Sequence, residues 1–86
     1  MQYRRNNDFF HAYLDNEVCL FDPTKGKYHN LNKVGSNIWE ILENQMEINN
    51  LVEILMDKFN VSKEECYSDT SNFLKTAVKE DILIAE

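Results

Sequence analysis

The spacing of apolar residues changes near residue 32, and this change divides the chain into a strand-forming and a helix-forming part. Before it, short apolar stretches are separated by turn residues, the pattern of antiparallel strands. After it, apolar residues recur every three or four positions, as in helices that bury one face. The sequence therefore predicts an α+β domain in which a small sheet precedes a group of helices.

Three strands are predicted in the first part. Phe9 to Leu14 and Glu17 to Asp22 are joined by Asp15-Asn16, two residue types that tolerate the positive φ of a tight hairpin turn. The Pro and Gly of the segment 23–26 favour a second turn, since Pro fixes φ and Gly permits a left-handed exit. Lys27 to Asn32 then folds back as the third strand, which completes a three-stranded antiparallel meander. Tyr28 and Asn30 share one face of this strand, and the apolar Leu31 indicates that the other face, with His29 and Leu31, is turned to the helices.

The first predicted helix begins after Asn32, a favourable N-cap residue. Its buried face is predicted to carry Val34, Ile38, Ile41 and Leu42, with Trp39 at the border of that face. The second helix has the most regular apolar repeat, from Ile48 to Phe59, although Glu47 is a poor cap.

A third helix begins at Ser62, where Ser62 and Glu65 have the spacing of a capping box. The apolar segment from Ile82 to Ile84 follows it as a strand or an extended end. Three short helices flanked by strands predict a three-stranded antiparallel sheet packed on a three-helix, winged-helix-like bundle. We expect one domain over residues 1–86, with a flexible segment 1–8, a β-meander over 9–32 and a helical bundle over 33–84.

The composition excludes several classes of partner. A 43% hydrophobic content supports a packed core, and no segment approaches the roughly eighteen apolar residues of a membrane span. Nine Lys and Arg against fifteen Asp and Glu give a net charge of −6, which disfavours nucleic acid and anionic membranes. The N-terminal residues lack the apolar part of a secretory signal, so we expect a cytoplasmic protein with reduced cysteines.

No catalytic, metal or cofactor site is predicted. His11, Cys19, His29 and Cys66 include the atoms of a zinc site or a Cys-His nucleophile, but their spacing matches neither. Only two glycines are present, so a glycine-rich phosphate loop is absent. The sequence therefore predicts a protein that is not an enzyme.

Several short motifs, collinear over residues 15–84, resemble the PqqD family, also called the RiPP precursor peptide recognition element. They are Asp22-Pro23-x-x-Gly26-x-Tyr28-x-x-Leu31-Asn32, Gly35-x-x-Ile38-Trp39-x-x-Leu42, the apolar second helix, Val61-Ser62-x-Glu64-Glu65 and Phe73-Leu74. The chain departs from this pattern at Asn44 and Asp81, where the family frequently has Gly, and at Ala77, where it frequently has Leu.

The resemblance implies a non-catalytic adaptor for ribosomally synthesised precursor peptides. In this family the leader segment of the precursor adds as an antiparallel strand to the third strand, and its side chains enter a groove walled by the third helix. The strand residues that match are Lys27, Tyr28, His29, Asn30 and Leu31, and the helix residues are Cys66, Asp69, Thr70, Phe73 and Ala77.

The partners implied are the precursor peptide and an enzyme that modifies it. Family habits favour lasso-peptide assembly with a leader peptidase and a cyclase, while a radical-SAM enzyme, as in pyrroloquinoline quinone synthesis, stays open. A winged-helix DNA-binding regulator is the competing interpretation. From Ser62 to Asp81, however, three Lys stand against five Asp and Glu, a poor surface for the major groove.

Overall fold

The computed structural model describes residues 1–86 and contains three helices and two three-stranded antiparallel sheets. The strands are β1 (Gln2–Arg5), β2 (Phe10–Leu14), β3 (Glu17–Asp22), β4 (Lys27–Asn30), β5 (Met46–Glu47) and β6 (Leu83–Ala85). The helices are α1 (Lys33–Ile41), α2 (Ile48–Lys58) and α3 (Lys63–Lys79). The α+β class and the predicted sheet are confirmed, whereas the second sheet was not predicted.

The predicted meander is the sheet with strand order β2-β3-β4. Asp15 and Asn16 adopt φ values of 52° and 67°, the left-handed values expected for the turn between β2 and β3. Gly26, at φ 65°, closes the next turn, where Asp22 Oδ1 accepts the backbone N–H of Thr24 at 2.9 Å. The third predicted strand is two residues shorter than expected, because Asn32 caps the first helix instead of continuing the sheet.

The second sheet has the order β5-β1-β6 and corrects the expectation of a flexible segment 1–8. Tyr3 in the central strand pairs with Met46 on one side and Ala85 on the other. Arg5 ties this sheet to α1, since its Nε–H donates to the carbonyl of Trp39 at 2.6 Å. Its guanidinium also lies 5.0 Å from the centroid of the Trp39 ring, within cation–π range.

The helix starts follow the predicted capping chemistry. Asn32 Oδ1 accepts the N–H of Gly35 at 2.8 Å, and Ser62 Oγ accepts the N–H of Glu65 at 3.2 Å. The predicted capping box is only half formed, because Glu65 makes no return bond to Ser62. Glu47 makes no side-chain cap bond, as expected.

The predicted burial of two α1 residues was wrong. Val34 is 39% exposed, while Trp39, placed at the border of the buried face, is only 1% exposed. The helix ends at the cap residue Leu42, and Asn44 does not take the left-handed conformation. Asp81 does, with φ 63°, at the end of α3 where the family frequently has Gly.

The core lies between the inner face of the meander, the helices and β6. Its largest fully buried apolar side chains are Trp39, Leu20, Ile38, Leu42, Leu51, Leu55, Leu74, Leu83, Val18 and Val52. Strand β4 is an edge strand of the meander sheet. None of the helices has the length and apolar content that a membrane crossing requires.

Candidate functional site

Strand β4 has one unpaired edge. It pairs with β3 on one side, and no strand of the chain lies on the other, because β1 belongs to the second sheet. The N-terminal segment therefore leaves this edge free. An unpaired row of backbone donors and acceptors is a template for pairing with another chain.

The hydrogen bonds of β4 determine which residues face the open edge. Leu31 N–H donates to Val18 O at 2.9 Å, so Leu31 faces β3. Because an antiparallel ladder alternates, Lys27 and His29 also face β3, whereas Tyr28 and Asn30 direct their backbone groups outward. The open edge thus offers two N–H donors and two carbonyl acceptors.

A buried hydroxyl holds the end of this edge in place. Ser36 Oγ accepts the N–H of Val18 at 2.8 Å and donates to the carbonyl of Leu31 at 3.1 Å. It therefore stands between two backbone groups that would otherwise pair across β3 and β4. This bridge joins the start of α1 to the sheet and positions the residues after Asn30.

Helix α3 lies beside the start of α1, which follows β4 directly. The ring of Phe73 fits against Gly35 so closely that a Cβ at residue 35 would lie 2.8 Å from Phe73 Cε1. At the other end, Lys25 Nζ lies 3.4 Å from Asp81 Oδ2, joining the turn before β4 to the end of α3. The C-terminal half of α3 is thus joined to the segments that precede and follow β4.

An apolar cavity of about 110 Å³ opens where the ends of the three helices meet. It is lined by Val34, Leu55, Phe59, Val61, Cys66, Asp69 and Thr70. The Cys66 thiol lies 3.9 Å from the carbonyl of Val52, and the exposed Asp69 brings a carboxylate to the lining. Because the cavity is mostly apolar and small, it can take one aliphatic side chain, with polar contacts from Asp69 and Thr70.

The structure places the predicted strand residues on or directly after β4 and the predicted helix residues on α3, but not all of them as accessible surface. Tyr28 and Asn30 are exposed on the outer side of the sheet, whereas His29 and Leu31 turn inward, as predicted. Cys66 and Thr70 are buried against α2 and contribute only to the cavity lining. Phe73 is half-buried.

Ala77 does not fit the predicted groove. It is 2% exposed, lies within the core cluster, and its carbonyl accepts the N–H of Ile82 at 2.8 Å. The helical repeat places Thr76, which is exposed, on the same stripe of α3 as Asp69 and Phe73. Side chains of that stripe, and not Ala77, are available to a ligand beside β4.

Sequence reasoning missed four residues of the cavity: Val34, Leu55, Phe59 and Val61. Val34 and Phe59 were assigned to the core because they continue the apolar repeats of their helices. Phe59 caps the C-terminus of α2, and Val61 lies in the loop that follows it. An apolar pair at a helix end and in the next loop is the signal that could have indicated exposed apolar surface.

The residues considered for a zinc site or a Cys-His nucleophile do not lie together in the structure. No group of three or more His, Cys, Asp or Glu side chains is arranged to hold a metal ion. Cys66 lies between α2 and α3, while Cys19 is on the outer face of the meander. The candidate site consists of the open edge of β4, helix α3 and the small apolar cavity.

A family model described as coenzyme PQQ synthesis protein D (PqqD) matches residues 17–83, which is most of the chain. The chain belongs to the PqqD family. The matched range includes β3, β4 and all three helices, and therefore every element of the site just described. The family resemblance found in the sequence motifs is confirmed.

Two solved structures share the fold of this PqqD-family chain. One is TbiB1 in complex with the TbiA(beta) leader peptide, with 26% sequence identity and a TM-score of 0.86, covering 96% of this chain and 99% of that one. The other is a lasso peptide synthetase B1 complexed with the leader peptide, with 17% identity and a TM-score of 0.83, covering 96% and 98%. No curated protein sequence matches the chain significantly.

Proposed function

We propose that this PqqD-family chain binds the leader segment of a ribosomally synthesised precursor peptide by strand addition to β4. The observation that carries the proposal is the unpaired edge of β4, with the backbone groups of Tyr28 and Asn30 directed outward. Strand addition takes its affinity from main-chain hydrogen bonds and its specificity from alternate side chains. Both similar structures are complexes with a leader peptide, which supports a leader peptide as the ligand of this chain.

Backbone pairing alone does not provide a useful affinity. Four hydrogen bonds at about 0.5–1.5 kcal/mol each give about 2–6 kcal/mol, and a Kd of 1 mM already corresponds to about 4 kcal/mol. Ordering a free peptide costs a further 2–5 kcal/mol or so. Anchoring side chains must supply the difference, and each buried apolar side chain contributes about 1.5–3 kcal/mol. The cavity beside Val34 and the half-buried ring of Phe73 are the surfaces that take these anchors.

The chain then presents the captured precursor to enzymes, with no catalytic step of its own. A leader peptidase and a cyclase of lasso-peptide assembly are the partners we favour, because one of the similar structures is a lasso peptide synthetase B1. A radical-SAM enzyme, as in pyrroloquinoline quinone synthesis, is the alternative, and the family description names that synthesis. Action in the cytoplasm, where precursor peptides are synthesised, follows from this role.

Titration with a fluorescently labelled leader peptide from the same biosynthetic gene set tests the proposal. We expect saturable binding to the wild-type protein in the micromolar range, and no salt-sensitive shift of duplex DNA. Asn30→Pro removes an outward donor, while Asn30→Ala keeps it, so the ratio of the two affinities isolates that hydrogen bond. We expect Asn30→Pro to bind about threefold to tenfold more weakly than Asn30→Ala, given about 0.5–1.5 kcal/mol for the lost bond.

Far-UV circular dichroism of both variants checks that the fold persists, since proline is tolerated on a sheet edge. Equal affinity of folded Asn30→Pro and Asn30→Ala would show that the leader does not pair with β4. If the wild-type protein does not bind the leader but binds duplex DNA tightly, the protein is a DNA-binding regulator and not a leader-binding adaptor.

A further inference from the structure

The outer face of the meander sheet carries an unusual number of apolar side chains. The register places Phe10, Phe21 and Tyr28 in one row across the three strands; the next row holds Ala12, Cys19 and the polar Asn30, and the last pairs Leu14 with Glu17. Phe10, Leu14 and Tyr28 are 66%, 62% and 71% exposed, and nothing in the chain covers them. An antiparallel sheet that faces water on one side normally shows polar residues there, so this face departs from the usual alternation.

Two aromatic side chains of this row pack against each other. The rings of Phe21 and Tyr28 pack with centroids 4.8 Å apart and an angle of 46° between their planes. The register places only Glu17 as a charged side chain on this face. Contiguous exposed apolar patches on small soluble domains mark surfaces that bind another macromolecule, and aromatic residues are enriched in the centres of such interfaces.

Tyr28 connects this face to the proposed leader-binding edge. Its side chain lies on the outer face, and its backbone N–H and carbonyl point to the open edge of β4. A peptide strand added to β4 would extend the sheet, and its alternate side chains would extend the apolar face by one strand. A protein that covers the row from Phe10 to Tyr28 would therefore also touch the bound leader.

We propose that this outer face, formed by Phe10, Leu14, Phe21 and Tyr28, is where the enzyme that cleaves the leader docks on the adaptor. This inference rests on the proposed function. A second copy of the chain is a poorer occupant, because each copy brings a net charge of −6. A patch of a few hundred Å² is also smaller than the roughly 800 Å² per partner of a stable interface. An enzyme that contacts the leader as well reaches the necessary area.

The peptidase surface that fits this face is apolar at its centre and basic at its rim, since Asp15 and Glu17 border the face at the β2–β3 turn. Because part of the contact comes from the leader, the peptidase binds more tightly to the leader-loaded adaptor than to the empty one. By thermodynamic reciprocity, the peptidase raises the affinity for the leader by the same factor.

The test uses the double variant Phe10→Thr/Leu14→Thr, which removes two exposed apolar side chains of β2 while keeping strand-forming residues. Neither residue belongs to the leader edge. Tyr67→Thr, which removes an exposed aromatic ring from α3, is the matched control. Labelled leader and the purified leader peptidase of the same gene set are titrated separately against each protein.

We expect the double variant to bind the leader within twofold of the wild type and the peptidase at least tenfold more weakly, while Tyr67→Thr changes neither. Unchanged peptidase affinity with intact leader binding overturns the docking proposal and leaves the proposed function standing. Failure of the wild-type protein to bind the leader contradicts the proposed function itself. Sedimentation that shows a wild-type dimer, abolished in the double variant, assigns the face to self-association and also overturns the proposal.

Discussion

Phe73 lies against Gly35 with so little space that a methyl group at residue 35 would be 2.8 Å from its ring. The absence of a side chain at the start of α1 therefore lets α3 approach the end of β4. This contact fixes the distance between the open sheet edge and the helix beside it. Its strength can be measured, because each of the two residues can be changed separately.

Gly35→Ala should destabilise the protein only while Phe73 is present. Overpacking costs about 1–3 kcal/mol, against up to about 1 kcal/mol gained from the helix propensity of Ala. In a Phe73→Ala background only Asn32 Oδ1, 3.3 Å from the added Cβ, stays close, and the same change should be neutral or stabilise by up to about 1 kcal/mol. Urea unfolding of the four proteins gives the coupling energy, and a value near zero would mean that the ring does not rest on Gly35.

Ser36→Ala should cost about 2 kcal/mol or more, because the hydroxyl is the hydrogen-bond partner of two buried backbone groups. Val18 N–H and the Leu31 carbonyl both lose that partner, and an unsatisfied buried group costs about 1–3 kcal/mol. Thermal or urea unfolding measures the loss. Ser68→Ala, on the exposed side of α3, is the control and should change stability by no more than about 0.5 kcal/mol. If Ser36→Ala loses no more stability than Ser68→Ala, Val18 N–H and the Leu31 carbonyl pair directly once the Ser36 hydroxyl is gone.

Asp81→Gly should leave the protein as stable as the wild type or stabilise it by up to about 1 kcal/mol. Asp81 has φ 63°, a conformation that costs a residue with a Cβ roughly 1–2 kcal/mol, partly offset by the greater unfolded-state freedom of Gly. The ion pair with Lys25 is exposed and contributes little. Lys25→Gln measures that pair separately. A loss in Asp81→Gly that is matched by Lys25→Gln would show that the ion pair outweighs the backbone strain.

The parts of the fold that sequence predicted are those with a local signal. Alternating residues and the Asp15-Asn16 turn gave the meander, and capping residues such as Asn32 and Ser62 gave the helix starts. Strand β1 was not predicted, because Gln2–Arg5 has no alternation of apolar and polar residues. It is held by pairing with residues more than forty positions away, which no local pattern records.

The sequence predicted those features of the site that depend only on the regular geometry of a strand. The inward and outward residues of β4 follow from the period of two along a strand, so His29 and Leu31 were placed correctly. The exposure of Val34 and the burial of Ala77 depend on how the helix ends pack, and the sequence carries no separate signal for that. Family analogy assigned Ala77 to the groove, whereas the packing of α3 against β6 places it in the core.

The cavity at the helix ends makes the most direct prediction about leader affinity. Val34→Ser removes an apolar lining side chain that is 39% exposed, so the fold should change little while an anchoring leader side chain loses part of its contact. A loss of about 1–1.5 kcal/mol corresponds to a fivefold to tenfold higher Kd for the leader peptide. Ile54→Ser, on α2 and 36% exposed, has nearly the same exposure but lies outside the cavity, and it should leave the Kd unchanged. Fluorescence anisotropy with a labelled leader measures both, and urea unfolding verifies that the two variants are folded. If both variants bind the leader as the wild type does, the cavity does not hold an anchor, and Phe73 must supply the apolar contact instead.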